Sequence, residues 1–339
     1  MPMAELWRRP GVTTAAMKFL VLLFALLVEQ LRPLRRDNPL HAGYEMFAQT
    51  LRRQFDAGEY RQGVVAWLIA VTPLTVVVFV AEWLIARVSG PLALLWGVAV
   101  LYVTVGFRQF SYFFNEINAA LKAGDVTNAR VQLGRWRAED SSELTSGEVA
   151  RVAIELGLTA SHRNVFGPVA WFVVLGPAGA LLYRAASALE EHWARGPMVP
   201  DVSMASMVAT GAEDAGTSRA FAEFAVRAFA VIDWMPARLT AVSFAVVGNF
   251  QDAADCWRAQ SRAWAHAAEG ILLASGAGAL GVKLGGELHE YGRVRYRPEL
   301  GTGDDADVDY LTSTVGLIWR ALVMWMFMIG VVTLAHSLR

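Results

Sequence analysis

The chain has 339 residues, a formal net charge of −1, and charge on only 18% of its residues. That balance excludes a basic nucleic-acid surface, and the single cysteine, Cys256, excludes a disulfide framework or cysteine metal cage within one chain. Hydrophobic residues make up 55% and fall in long runs, which points to a lipid bilayer as the solvent for much of the chain.

Residues 1–16 precede the first patterned run and read as an N-terminal extension. Next, Lys18 followed by Phe19 to Val28 has the charged and apolar regions of a signal peptide. However, Glu29-Gln30-Leu31-Arg32-Pro33 follows, with no small-x-small cleavage site. The expectation is an uncleaved first span at 17–31. Runs at 62–86, 91–107, 164–183 and 315–335 approach or exceed the roughly 20 apolar residues that cross a bilayer core. Ser89-Gly90-Pro91 turns the first two of these into a hairpin, so segments 32–61 and 108–163 share one side. Arg32, Arg35, Arg36, Arg52, Arg53 and Arg61 lie in one segment; Arg108, Lys122, Arg130, Arg135, Arg137, Arg151 and Arg163 lie in the other. The positive-inside bias places both in the cytoplasm, against Arg8, Arg9 and Lys18.

Segment 108–163 reads as a cytoplasmic helical subdomain. Phe107, Phe110, Phe114, Ile117 and Leu121 recur at three- and four-residue steps, the apolar stripe of a helix. Gly124-Asp125 breaks it, and Asp125 is placed to cap the next helix. Thr145 and Glu148 form an S/T-x-x-E capping box ahead of a helix through Leu158. The run 221–248 is apolar but holds Arg227, Asp233 and Arg238. Each costs roughly 2.5–3.5 kcal/mol near the centre of a lipid-facing helix, and Pro236 removes a helix hydrogen bond. This run either lies inside a bundle with its charges paired or breaks at the interface.

Polarity returns over 249–314. Asn249 is placed to cap a helix to about Glu269, residues 275–286 are rich in Gly and Ala, and Asp304, Asp305, Asp307 and Asp309 precede the last span. The expected architecture is an all-α, polytopic helical membrane protein of five to six transmembrane helices. It divides into 1–16, then 17–107 with a basic loop at 32–61, then 108–163, then 164–339 with polar loops at 184–220 and 249–314.

Four blocks in order, over roughly residues 120–320, resemble the cobalamin-biosynthesis CobD/CbiB family. The first runs from Gly124-Asp125 through Ala129-Arg130 and Leu133-Gly134-Arg135 to Glu148-Val149 and Glu155. The second holds Pro168, Trp171, Gly176-Pro177-Ala178-Gly179-Ala180 and Tyr183-Arg184-Ala185. The third is Pro236-Ala237-Arg238-Leu239-Thr240-Ala241. The fourth runs from Gly278 to Gly286, with Pro298-Glu299-Leu300-Gly301 after it. The first three also resemble AmpE, a non-enzymatic relative linked to β-lactamase regulation. Three positions depart from the enzymes' polar pattern: Thr159, Ala160 and Arg163 stand where an acid, an Asn and an Asp are usual. Ser187-Ala188-Leu189-Glu190 replaces Asn-Thr-Leu-Asp, and the enzymes' His-Pro is only shadowed by Asn38-Pro39-Leu40-His41.

The resemblance implies an adenosylcobinamide-phosphate synthase. Such an enzyme joins an aminopropanol unit to the carboxyl group of adenosylcobyric acid with ATP and Mg²⁺, and carries no covalently bound cofactor. The alternative it implies is a non-catalytic regulatory or assembly protein. For the enzyme, Glu155, Glu190 and Arg238 are the catalytic candidates, with a corrinoid as partner. Asp125, Arg135, Asp233, Lys283, Gly285 and Gly286 are the substrate-binding candidates. Each has a plainer reading. Glu155 serves as a helix-face carboxylate, Asp125 and Glu148 as caps, Asp233 with Arg238 as a structural charge pair, and the Gly278–Gly286 stretch as close helix packing. The Asp304–Asp309 cluster reads as a solvated loop or helix cap rather than a metal site, and His192 beside Glu190 and Glu191 is a weak zinc motif. There is no nucleophile-and-base arrangement.

Overall fold

The computed structural model describes residues 10–32, 39–56, 58–195 and 212–337. Arg8, Arg9 and Asn38, and residues 196–211 of the stretch expected as a loop at 184–220, lie outside them. The elements in chain order begin with α1 (Pro10–Leu31), α2 (Pro39–Phe55), α3 (Tyr60–Val88), α4 (Gly90–Thr104), α5 (Phe107–Lys122), α6 (Val126–Arg137) and α7 (Ser146–Ser161). A π turn (His162–Phe166) joins α7 to α8 (Gly167–Leu175). Then come α9 (Pro177–Arg195), α10 (Ala212–Val247), α11 (Phe250–Gln260) and α12 (Ala267–Leu280). Strands β1 (Val282–Glu290), β2 (Arg293–Leu300) and β3 (Asp304–Asp305) precede α13 (Val308–Ser337).

Among the described residues, three helices are long and apolar enough to cross a membrane: Tyr60–Val88, Arg219–Val247 and Val308–Ala335. Only 28%, 44% and 22% of their most apolar windows is buried. Val76, Val77, Phe79 and Leu84 on α3, and Val323, Phe327 and Val332 on α13, point outward. So much outward apolar surface is stable only with hydrocarbon around it. The protein is an all-α polytopic helical membrane protein with a small sheet among its described residues.

The apolar runs do not all become single rods. The run 91–107 forms α4, which stops at Thr104 after 15 residues; at 1.5 Å per residue that is about 22 Å, short of a bilayer core of roughly 30 Å. The run 164–183 is divided by Gly176, at φ 69°, and Pro177, which starts α9 because a first-turn proline needs no N–H. Its beginning lies inside the helical path that runs on from α7 through the π turn. The run 221–248 lies, up to Val247, within one long helix that passes through Pro236. Proline leaves the carbonyl four residues back without its helical donor; that carbonyl, Ile232 O, accepts the Trp171 indole N–H at 3.0 Å. In the stretch 249–314, Asn249 caps a helix as expected, accepting from the Asp252 N–H at 3.3 Å. That helix ends at Gln260 rather than near Glu269. A 3₁₀ turn (Ser261–Ala263), α12 and a β-hairpin follow before α13 begins.

The chain forms two compact units. The first comprises Met1–Pro33, Val105–Gly167 and Met235–Arg339. Here Phe114, Ile117, Leu133, Val149, Ile154 and Leu158 are buried, as the amphipathic stripe of α5 requires. Phe166, Phe244 and Trp325 pack as an aromatic trio, and Trp325 donates to Ser243 at 2.6 Å. The second unit comprises Leu34–Thr104 and Pro168–Trp234. Its core holds Leu51, Trp67, Tyr183, Leu189, Trp193 and Phe221, with the Trp193 N–H donating to Ala48 O at 3.1 Å.

Candidate functional site

The N-terminus of α7 is fixed locally. Thr145 accepts from the Glu148 N–H at 3.3 Å, and Glu148 accepts from the Thr145 N–H at 2.7 Å and from its hydroxyl at 2.8 Å. This reciprocal box satisfies donors that a helix start leaves open. Glu148 also accepts from the His289 N–H at 3.0 Å and faces His289 Nδ1 at 2.8 Å. Burial of the Glu148 carboxyl opposes its ionisation, but the bonds from His289 and Thr145 together outweigh burial and bring its pKa down to about 2. The same bond to Glu148 raises His289.

Glu155 lies two turns further along the same face of α7. Its carboxylate accepts from the Gly285 N–H at 2.8 Å and from Arg297 Nη1 and Nη2 at 2.6 and 3.1 Å. The Arg297 pair is bidentate, the strongest arrangement for a carboxylate. Both side chains are well buried, at 8% and 15% exposure. Gly285 and Gly286, at φ 74° and 71°, make the bulge where the β1–β2 register shifts between Leu284 and Gly286. A Cβ on Gly285 would come 2.0 Å from Pro298 O, so this glycine serves a close backbone approach.

The hairpin tip is held by further charges. Glu143 accepts from the Gly292 N–H at 2.8 Å. Arg137 pairs with Glu290 at 2.7 Å and with Glu139. Arg151 donates to Glu287 O and lies 4.0 Å from Glu148. Arg297, Arg151 and Glu143 belong to no site motif in the sequence. Arginines at alternate positions 293, 295 and 297 carry the period-two signal of a strand, and that signal points to the hairpin.

The other candidates are placed elsewhere. Asp125 is exposed and caps α6 by accepting from the Asn128 N–H at 2.9 Å. Arg135 is exposed near the end of α6, and Lys283 is exposed on β1, paired in register with Asp305. Asp233 is buried in the second unit, where it accepts from the Tyr183 hydroxyl at 2.8 Å. Arg238, five residues on in α10, belongs to the first unit and is half-buried. Glu190 is buried on α9 in the second unit, and His192 there pairs with Glu45 at 3.5 Å.

Asp307 caps α13 through the Asp309 and Tyr310 N–H groups at 2.9 and 3.2 Å, and Asp304 accepts from Tyr310. Among the described residues, no three His, Cys, Asp or Glu side chains gather as a metal site. At the departures, Arg163 pairs with Glu269 at 3.5 Å, and the Thr159 hydroxyl donates to Glu155 O at 2.9 Å.

Long outward-facing apolar helices define a polytopic membrane protein. The chain belongs to the CobD/CbiB family: the family described as CobD/Cbib protein matches residues 22–194 and 205–318. Among similar proteins, a cobalamin biosynthesis protein CobD of Stutzerimonas stutzeri is 32% identical over 92% of this chain and 96% of its own length. One of the same description from Chromobacterium violaceum is 32% identical over 78% of this chain and 77% of its own length. Cobalamin biosynthesis protein CbiB of Salmonella typhimurium is 26% identical over 67% of this chain and 68% of its own. No solved structure matches significantly.

Proposed function

We propose that this protein serves cobalamin biosynthesis as an adenosylcobinamide-phosphate synthase-like enzyme of a bacterial inner membrane. It joins the amine of an aminopropanol unit to the carboxyl group of the corrinoid adenosylcobyric acid at the cytoplasmic face. The observation that carries this reading is the meeting of Glu155 with Gly285 and Arg297, which brings the first and fourth family blocks together across 130 residues.

Amide formation from a carboxylate needs its charge neutralised and the amine delivered in register. ATP supplies the driving force when bound. At this junction the Arg297 charge is matched by Glu155, so the pair and the Gly285–Gly286 bulge serve to fix the backbone that orients the reactants. Arg238 on α10 enters the proposal through the family resemblance, as a further cationic candidate. Mg²⁺ favours one or two carboxylates with phosphate oxygens. Glu155 does not fit that role, because both its oxygens face a guanidinium, so no step is assigned to a protein-held metal.

Complementation tests the proposal. In a bacterium lacking its own synthase, the chain should restore growth dependent on cobyric acid. Glu155→Gln and Arg238→Ala should abolish that rescue with membrane insertion intact. Failure of the correctly inserted wild-type chain removes the enzyme reading. Arg163 tied to Glu269 and Thr159 turned back on its own helix favour a second reading, a non-catalytic assembly or regulatory protein. That reading expects no rescue, no nucleotide binding and stable co-purification with another membrane protein.

A further inference from the structure

The hairpin beyond the Gly285–Gly286 bulge is held differently from its base. At the base, Val282, Leu284 and Leu300 are buried. Beyond the bulge, Leu288 is the one buried apolar side chain, and along β2 only Leu300 is buried. Tyr291 and Tyr296 are 69% and 74% exposed. The attachment of this outer half is polar: Glu148 takes the His289 N–H, Glu143 takes the Gly292 N–H, and Arg137 and Arg151 grip Glu290 and Glu287 O. Segments with little apolar burial and charged fastenings open below the global unfolding threshold.

We propose that residues 287–296 form a lid that swings on the Gly285–Gly286 bulge and is latched to the α7 segment by Glu143 and Glu148. The hinge is built for it. Two successive positive-φ glycines interrupt the ladder, and the Glu155–Arg297 pair with the Gly285 N–H anchors the stationary side. Swinging the outer half away uncovers Glu148 and the face of α7 leading to Glu155. The inference rests on the reading of Glu155, Gly285 and Gly286 as the site, to which the lid governs access.

Hydrogen exchange resolved by residue, on the full chain in detergent or nanodiscs, tests it without any activity readout. Glu143 is exposed and precedes the α7 cap, so Glu143→Ala spares the helix. Losing one charge-assisted latch should speed exchange of the Gly292 amide about tenfold or more. The His289 amide, whose own acceptor is untouched, should speed up with it, while the Gly285 amide holds its wild-type rate. Acceleration at Gly292 alone, or equally at Gly285, would overturn the lid. In the wild type, raising salt from roughly 50 mM to 1 M should release both outer amides together; salt-insensitive exchange also overturns it. A chain that fails to rescue growth yet shows coupled release keeps the lid and loses the enzyme. Rescue with a rigid hairpin does the reverse.

Discussion

Replacing Arg297 with Met keeps the stem of the side chain and removes the charge that faces Glu155. What remains is a carboxylate at 8% side-chain exposure with one donor, the Gly285 N–H. Two charge-assisted hydrogen bonds are lost, at roughly 1.5–3 kcal/mol each. Methionine loses about as much rotamer freedom as arginine when buried, so little entropy is returned. The net is about 3–5 kcal/mol, the range for orphaning one member of a buried pair. The double variant Glu155→Leu with Arg297→Met removes both charges, and paired replacement by apolar groups is often near neutral. Thermal unfolding in detergent, run as a double-mutant cycle, should show a large loss for Arg297→Met and recovery of most of it in the double variant. A single-variant loss below about 1 kcal/mol, or double-variant damage equal to the sum of the singles, refutes the pair as a buried structural contact.

Further outcomes follow from the same geometry. The Glu148 contribution is complete above its ordinary value of 4.5 and is lost as pH falls toward about 2. The His289 contribution is complete below 6.5 and is lost as pH rises through its raised value. Protection of the His289 amide should therefore be greatest between about pH 4.5 and 6.5 after correction for intrinsic exchange; a flat profile contradicts the pairing. Gly285→Ala meets Pro298 O at 2.0 Å, whereas Gly281→Ala meets nothing within 4 Å. Both bear the left-handed penalty of roughly 1–2 kcal/mol, so thermal shifts should rank Gly285→Ala as clearly the more damaging. Tyr183→Phe removes a donor to buried Asp233 and should cost about 1 kcal/mol in the same assay. No loss would show that the contact is dispensable.

Legibility followed sequence range. The Thr145–Glu148 box and the Asp125 and Asn249 caps are three-residue relations, and the α5 stripe repeats within one helix, so each could be read directly. Of the hairpin, only the alternating arginines of the second strand give a local signal. Its glycine-rich first strand resembles close helix packing, and its second strand alternates arginine with exposed Val and Tyr rather than core with surface. Partnerships across the chain were hidden for the same reason. The Tyr183 hydroxyl that donates to Asp233 lies 50 residues earlier, beyond the reach of any local spacing. Nothing local marks Arg297 as the answer to Glu155.

The Glu155–Arg297 pair also sets a timetable for biogenesis. The two residues are 142 positions apart, and at roughly 5–20 residues per second that is about 7–28 s of synthesis. Throughout that interval the nascent α7 carries an anion whose counter-charge has not left the ribosome. The segment must wait in a hydrated or chaperoned form, so a ribosome that stalls before the hairpin leaves a membrane-inserted fragment whose polar head is unable to close.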